Sequence, residues 1–184
     1  MKIPFNKYEG AGNDFIIVKN SPQLIDPSDK ELIKGLCDRR FGIGADGLML
    51  IEEHDRSDFR MLYYNSDGSA GEMCGNGARC AAHFAMSHMT GFRDLTFMAG
   101  DGLHTARPDG PGRTDVSIRY VPEIKDAPDG ILVNTGVPHL VVFTRDCGIT
   151  DVVKRGRKLR RSPVYAPAGV NVTFVTAVKG KLHV

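Results

Sequence analysis

Long apolar runs are the first thing missing from this 184-residue chain. No stretch approaches the roughly 18 apolar residues of a membrane-spanning helix. The opening segment MKIPFNKYEGAGND has no apolar run long enough for a signal peptide. The reading is a cytoplasmic protein with no membrane partner. An excess of charge is missing too. The 24 Lys and Arg against 22 Asp and Glu leave a net charge of +2, which gives no field to gather nucleic acid. Cysteine is scarce: Cys37, Cys74, Cys80 and Cys147 form no CxxC pair, so a structural zinc site is not expected. In a chain this long with no secretory mark, they read as free thiols rather than disulfides. Short-period repeats and low-complexity segments are absent as well. What is there is 41% apolar residues, enough to bury a core in one medium domain or two small ones.

Hydrophobic patterning gives strands at Lys2–Tyr8, Phe15–Lys19, Leu48–Glu52, Phe59–Tyr64, Leu95–Met98, Leu103–Arg107 and Asp115–Tyr120. Later strands are expected at Leu140–Phe143 and Val170–Val178, the latter opening a hairpin through Lys179-Gly-Lys181. A helix should start at Pro27-Ser28, with Ser28 as cap and Glu31 closing a capping box, and run to about Arg39. Others are expected at Gly75–Met89 and Thr150–Leu159. Asn65-Ser-Asp-Gly68 reads as a turn. The pattern is α+β. Val121–Gly130, with two prolines and no periodicity, is the natural boundary, giving domains 1–121 and 122–184. The second has only about 60 residues, marginal for a core, so the chain is expected to lack part of its second half.

Two motifs are set aside. Gly42-Ile-Gly-Ala-Asp-Gly47 matches GxGxxG, but a dinucleotide loop leaves a strand and opens a helix, and here the order is reversed. These glycines read as a helix end and a turn. Lys154–Arg161 holds six basic residues in eight, which reads as a solvated helix end complementing its dipole rather than a nucleic-acid patch.

Cys74-Gly-Asn-Gly-Ala-Arg-Cys80 is the informative stretch. On a helical projection Ala78, Ala81, Ala82, Ala85, Met86 and Met89 share one broad side, while Arg79, His83 and Ser87 form the opposite stripe. The helix should be mostly buried. Cys74 precedes its first turn, and Gly75 and Gly77 are expected to leave backbone N–H groups uncovered, an anion-accepting end. A helix N-terminus also lowers the pKa of a thiol placed at it. Cys37 and Cys80 fit inert packing. Cys74 reads as a reactive thiol.

With these segments in order, Gly10-Ala-Gly-Asn-Asp-Phe15, Arg40–Gly47, Tyr64–Ser69, Cys74–Cys80 and Gly136-Val-Pro-His139, the chain resembles the diaminopimelate epimerase family along its whole length. The resemblance implies two pseudo-symmetric halves, each a mostly antiparallel sheet wrapped round a central helix. It implies interconversion of LL- and meso-diaminopimelate, on the route to lysine and cell-wall peptide, by two cysteines on opposite faces of Cα, with no cofactor and no metal. Cys74 matches one of the two. Gly75 and Asn76 would meet the α-carboxylate, Asn13, Asn65 and Asn171 would hold the substrate's polar ends, and His139 would tune the thiols. A homodimer is compatible with the resemblance.

This sequence also departs from the family. Val137 stands where many members have asparagine and Gly47 where some have glutamine. The second cysteine of the family falls outside these 184 residues. Cys80 sits about 9 Å further along the helix than Cys74 and cannot face it across one carbon. Cys147 matches a loop away from the site. Two other readings stand beside the epimerase: a proline or hydroxyproline racemase-like enzyme, which the Asn76-Gly-Ala-Arg79 pattern disfavours, and a non-catalytic fragment that grips a carboxylate.

Overall fold

The computed structural model describes residues 2–71, 73–118, 124–135, 137–167 and 169–184. The chain divides into two compact units, Met1–Ile118 and Arg119–Val184. The cut expected between residues 121 and 122 falls outside the described residues.

The first unit runs β1 (Asn6–Gly10), β2 (Asn13–Lys19), α1 (Lys30–Cys37), β3 (Gly47–Glu52), β4 (Phe59–Asn65), β5 (Ala70–Gly71), α2 (Gly75–Ala85), β6 (Leu95–Ala99), β7 (Gly102–Pro108) and β8 (Thr114–Val116). The sheet order is β1-β2-β3-β4-β6-β7-β8, with β5 on β4. Neighbours β2/β3 and β4/β6 are parallel, the other pairs antiparallel. β2 and β3 bury both faces, as their unbroken apolar runs require. Side chains alternate across the pleat. Phe15, Ile17, Met49, Ile51, Phe59 and Met61 face one core with the alanines of α2. Ile16, Val18, Leu48 and Leu50 face a second core with Ile33 and Cys37 of α1. The sheet curls so that β1, β2, β3, β4, β7 and β8 all touch α2.

Two local expectations are corrected. Asp29, not Ser28, caps α1: its Oδ1 accepts from Leu32 N at 3.0 Å, while Ser28 N and Oγ both donate to Asp26 Oδ1. The upstream carboxylate captures the serine before it can serve the helix. The helix expected through Met89 ends at Ala85 and continues as a π-helical turn, Met86–Thr90, whose Thr90 hydroxyl donates to the Ala85 carbonyl. The GxGxxG segment is, as read, the exit of a helix: Gly44 has φ +79° and bonds back to Leu36.

The second unit contains β9 (Ile124–Ala127), β10 (Gly130–Asn134), β11 (Pro138–Phe143), α3 (Val152–Arg160), β12 (Asn171–Val178) and β13 (Lys181–His183), in the order β13-β12-β11-β10-β9. Among the described strands of this unit only β11/β12 is parallel, joined through α3. Leu140, Val142, Tyr165, Val170 and Phe174 form its core. β9 and β10 lie partly in the segment read as a linker. The first is four residues long with two charges, too short and polar for its period to show. The basic helix α3 buries none of its residues. Two of its arginines bind within the unit: Arg155 lies over the Phe174 ring at 5.2 Å, and Arg160 donates to Val170 O and Asn171 Oδ1.

Candidate active site

Cys74 sits at the mouth of α2 in an extended conformation (φ −134°, ψ 114°), and its own side chain makes no cap bond to this helix. Its carbonyl accepts from Ala78 N at 2.7 Å, the first turn of the helix. The N–H groups before Ala78 have no partner within the helix by its geometry, and no acidic residue occupies the first turn. Cys74 is half-buried against the first core. Gly75 is exposed, with open space around it.

Gly77 has a different purpose from the one expected. A Cβ there would stand 1.8 Å from Met49 Cε and 3.5 Å from the Phe15 ring. Gly77 is buried and lets α2 settle onto β2 and β3; only Gly75 faces open space. Gly10 does similar work on the other side, since its Cβ would meet Cys80 Sγ at 2.9 Å and Asn76 O at 3.1 Å.

Asn13 and Asn76 are brought together. Asn76 Nδ2 donates to Asn13 Oδ1 at 2.8 Å, and Asn13 Nδ2 donates to Asp46 Oδ2 at 3.0 Å. Asn76 Oδ1 accepts from Arg79. A carboxylate can only accept and a guanidinium can only donate, so both amides are oriented from the two ends of this chain of bonds. Beneath it, Arg39 bridges Asp14 (2.7 Å) and Asp46 (2.8 Å), and Lys7 bonds Asp14 and Gly44 O. Arg39, then Lys7, hold the Asp14 carboxyl well below the usual range. The Asn13 side-chain hydrogen bond lowers the Asp46 carboxyl, with help from Arg39. These ions brace the β1–β2 turn against the loop before β3; Arg39 and Asp46 were not singled out from the sequence, and Arg79 only as part of a polar stripe and a motif.

Asn65 closes β4. Its Oδ1 accepts from Tyr63 OH at 2.8 Å and its Nδ2 donates to Ser69 Oγ at 3.1 Å. The turn after it is as read, with Gly68 N bonded to Asn65 O at 3.0 Å. Gly47 pairs with Asn65 across β3/β4. A Cβ at Gly47 would lie 2.5 Å from Tyr64 O and 2.7 Å from Tyr63 Cε2, so no side chain fits there. Tyr63 is a residue the sequence reading passed over. Burial, then the neighbouring Cys74, pushes its phenol up to about 12.

Within the second unit, His139 on β11 and Asn171 on β12 are register partners in the parallel pair. Val137 is half-exposed just before β11; Gly136 lies outside the described residues. All four cysteines are free. Cys37 and Cys80 are buried, which pushes each thiol up to about 11. Cys147 is half-buried against the second unit's core, its N–H on Thr176 Oγ1 at 2.8 Å. Among the described residues no group of His, Cys, Asp and Glu is arranged to hold a metal, and no helix is long and apolar enough to cross a membrane.

Residues 5–105 match the family model described as diaminopimelate epimerase. The chain belongs to the diaminopimelate epimerase family. It is 44% identical over 169 residues to the diaminopimelate epimerase of Flavobacterium psychrophilum, covering 92% of this chain and 66% of that one. It is 38% identical to that of Chlorobaculum tepidum, covering 90% and 67%. The chain thus spans about two thirds of the length of these curated relatives. In fold it is similar to a Bacillus anthracis phenazine biosynthesis protein of the PhzF family, with TM-score 0.72 and 15% identity over 96% of this chain and 67% of the other. It is also similar to a probable proline racemase from Agrobacterium radiobacter, with TM-score 0.61 and 17% identity over 98% and 69%. Likeness at this identity concerns the fold alone: pseudo-symmetric halves of curled sheet and few helices. The racemase alternative gains nothing further from it, whereas the epimerase relatives match in sequence as well.

Proposed function

We propose that this chain supplies one of the two acid/base thiols of a cofactor-independent epimerase that interconverts LL- and meso-diaminopimelate. The observation that carries the reading is the mouth of α2. In a member of this family, a buried helix begins at a half-buried cysteine with no carboxylate and no side-chain cap in its first turn. Cys74, as thiolate, takes the α-proton, and a second thiol returns a proton to the opposite face. Negative charge passes from Cα into the α-carboxylate, where the N–H groups of Gly75 and Asn76 meet it as it grows. Asn13, Asn65 and Asn171 hold the substrate's polar ends, and His139 tunes thiol protonation. The scheme uses neither metal nor cofactor. A cytoplasmic enzyme, alone or as a homodimer, fits it.

None of the other cysteines suits the second role. Cys37 and Cys80 are buried with raised pKa values, and Cys147 packs on the second unit's core. The partner thiol is therefore assigned to residues other than these 184. Assayed alone, this chain should not epimerise diaminopimelate efficiently; robust turnover would show that one of the three has been misjudged. In the catalytically competent protein, Cys74→Ser should slow α-proton exchange into deuterated water by at least about a hundredfold with unchanged circular dichroism. Exchange persisting at a similar rate would remove Cys74 from the mechanism.

A further inference from the structure

The Tyr63 ring lies in space that two glycines leave open. A Cβ at Gly71, its cross-strand partner on β5, would stand 2.5 Å from Tyr63 Cδ1 and 2.7 Å from Cε1. Gly47 on β3 clears the other edge, at 2.7 Å from Cε2. Neither glycine has a positive φ that would itself call for glycine. At Gly71 the demand comes from the ring alone; at Gly47 the Tyr64 carbonyl adds to it. Phe15 meets the ring edge-on, with centroids 6.2 Å apart. The phenol is thus confined on several sides and has one polar partner among the described contacts, Asn65 Oδ1.

The direction of that bond can be read backward from Asp67. Ser69 N and Oγ both donate to Asp67 Oδ1, which can only accept. Ser69 Oγ must then accept from Asn65 Nδ2, which turns Asn65 Oδ1 toward the phenol, and Tyr63 must be the donor. Four residues form one directed relay, and its head, Tyr63, packs against the same core as Cys74. We propose that Tyr63 is a positioning residue of the Cys74 site: its hydroxyl locks the Asn65 carboxamide in one orientation, leaving the second Nδ2 hydrogen as the group offered to substrate, and Gly47 and Gly71 are glycine to admit the ring. The consequence for substrate rests on the reading of Asn65 as a residue that holds it; the lock itself does not.

Tyr63→Phe keeps the ring and deletes the donor, so the fold should stay intact. In the 184-residue chain, the Asn65 side-chain amide protons should shift and exchange with solvent about tenfold faster. In the catalytically competent protein, KM for diaminopimelate should rise about tenfold while kcat changes less than about threefold. Gly71→Ala, which displaces the ring instead, should give the same KM rise, and the double variant should be little worse than either single one. An Asn65 amide unmoved by Tyr63→Phe overturns the proposal, and so does an unchanged KM. If the wild-type protein neither binds nor exchanges diaminopimelate while Tyr63→Phe still gives the expected amide response, the functional reading is overturned and the lock is supported.

Discussion

α2 and α3, one in each unit, begin in opposite ways. α3 opens on Asp151, whose Oδ1 accepts from Lys154 N at 3.0 Å; its last turn is basic and none of its residues is buried. Carboxylate at one end and cations at the other complement its dipole locally. α2 opens on Cys74 with no cap and no acid, and buries Gly77, Ala78, Cys80, Ala81, Ala82, Phe84 and Ala85. Its stability comes from tertiary packing, which is where most helices in proteins find it. A helix held that way can forgo the roughly 1 kcal/mol of a good cap and leave its positive end open to an incoming anion. A helix held like α3 cannot do so as cheaply.

The sharpest way to test the contrast is to label the open mouth against the packed interior. Iodoacetamide at neutral pH should modify Cys74 at least about a hundredfold faster than Cys37 or Cys80, which are buried with thiols raised to about 11. A raised thiol pKa means the protonated form is retained longer. Labelling of those two in the folded protein should therefore keep climbing as pH rises toward about 11. Peptide mapping after timed quenching reads the rates, and equal rates at neutral pH would erase the distinction.

A smaller effect comes from making one substitution in both helices. Gly77→Ala drives a methyl into Met49 in a full core; overpacking outweighs the gain in helix propensity for a net loss of about 1 kcal/mol. Gly156→Ala in α3 finds only Phe174 Cε2, at 3.8 Å, and should stabilise by about 0.5–1 kcal/mol. Urea unfolding of both variants tests the opposite signs. The smallest difference concerns the caps. Asp151→Ala should cost about 1 kcal/mol, and Cys74→Ala less than about 0.5 kcal/mol, since no cap bond is lost. A larger loss at Cys74 would mean that its sulfur supports the fold more than the site.

Much of this was legible along the chain. The apolar periods located most strands and, among the described residues, all three α-helices to within a few residues. The small-residue stripe of α2 marked it as interior, and element order alone ruled out a dinucleotide loop at Gly42–Gly47. What stayed hidden depended on side-chain partners, some two residues away and some far apart in sequence. Ser28 looked like a cap until Asp26 took its hydroxyl. Gly77 looked like an opener of N–H groups until Met49 came against it. Tyr63 looked like one more apolar position on β4 until register set it between Gly47 and Gly71.

The sequence by itself determined the periodic elements, the buried face of α2 and the placement of Cys74 at its start, because each follows from spacings within one turn or one pleat. Only the tertiary structure decided how the polar groups of the candidate site are joined. The brace of Asp14, Arg39 and Asp46 and the amide chain from Asp46 to Arg79 join side chains from different elements. Strand register and sheet curl bring those side chains within hydrogen-bonding distance, and neither is encoded in any local stretch.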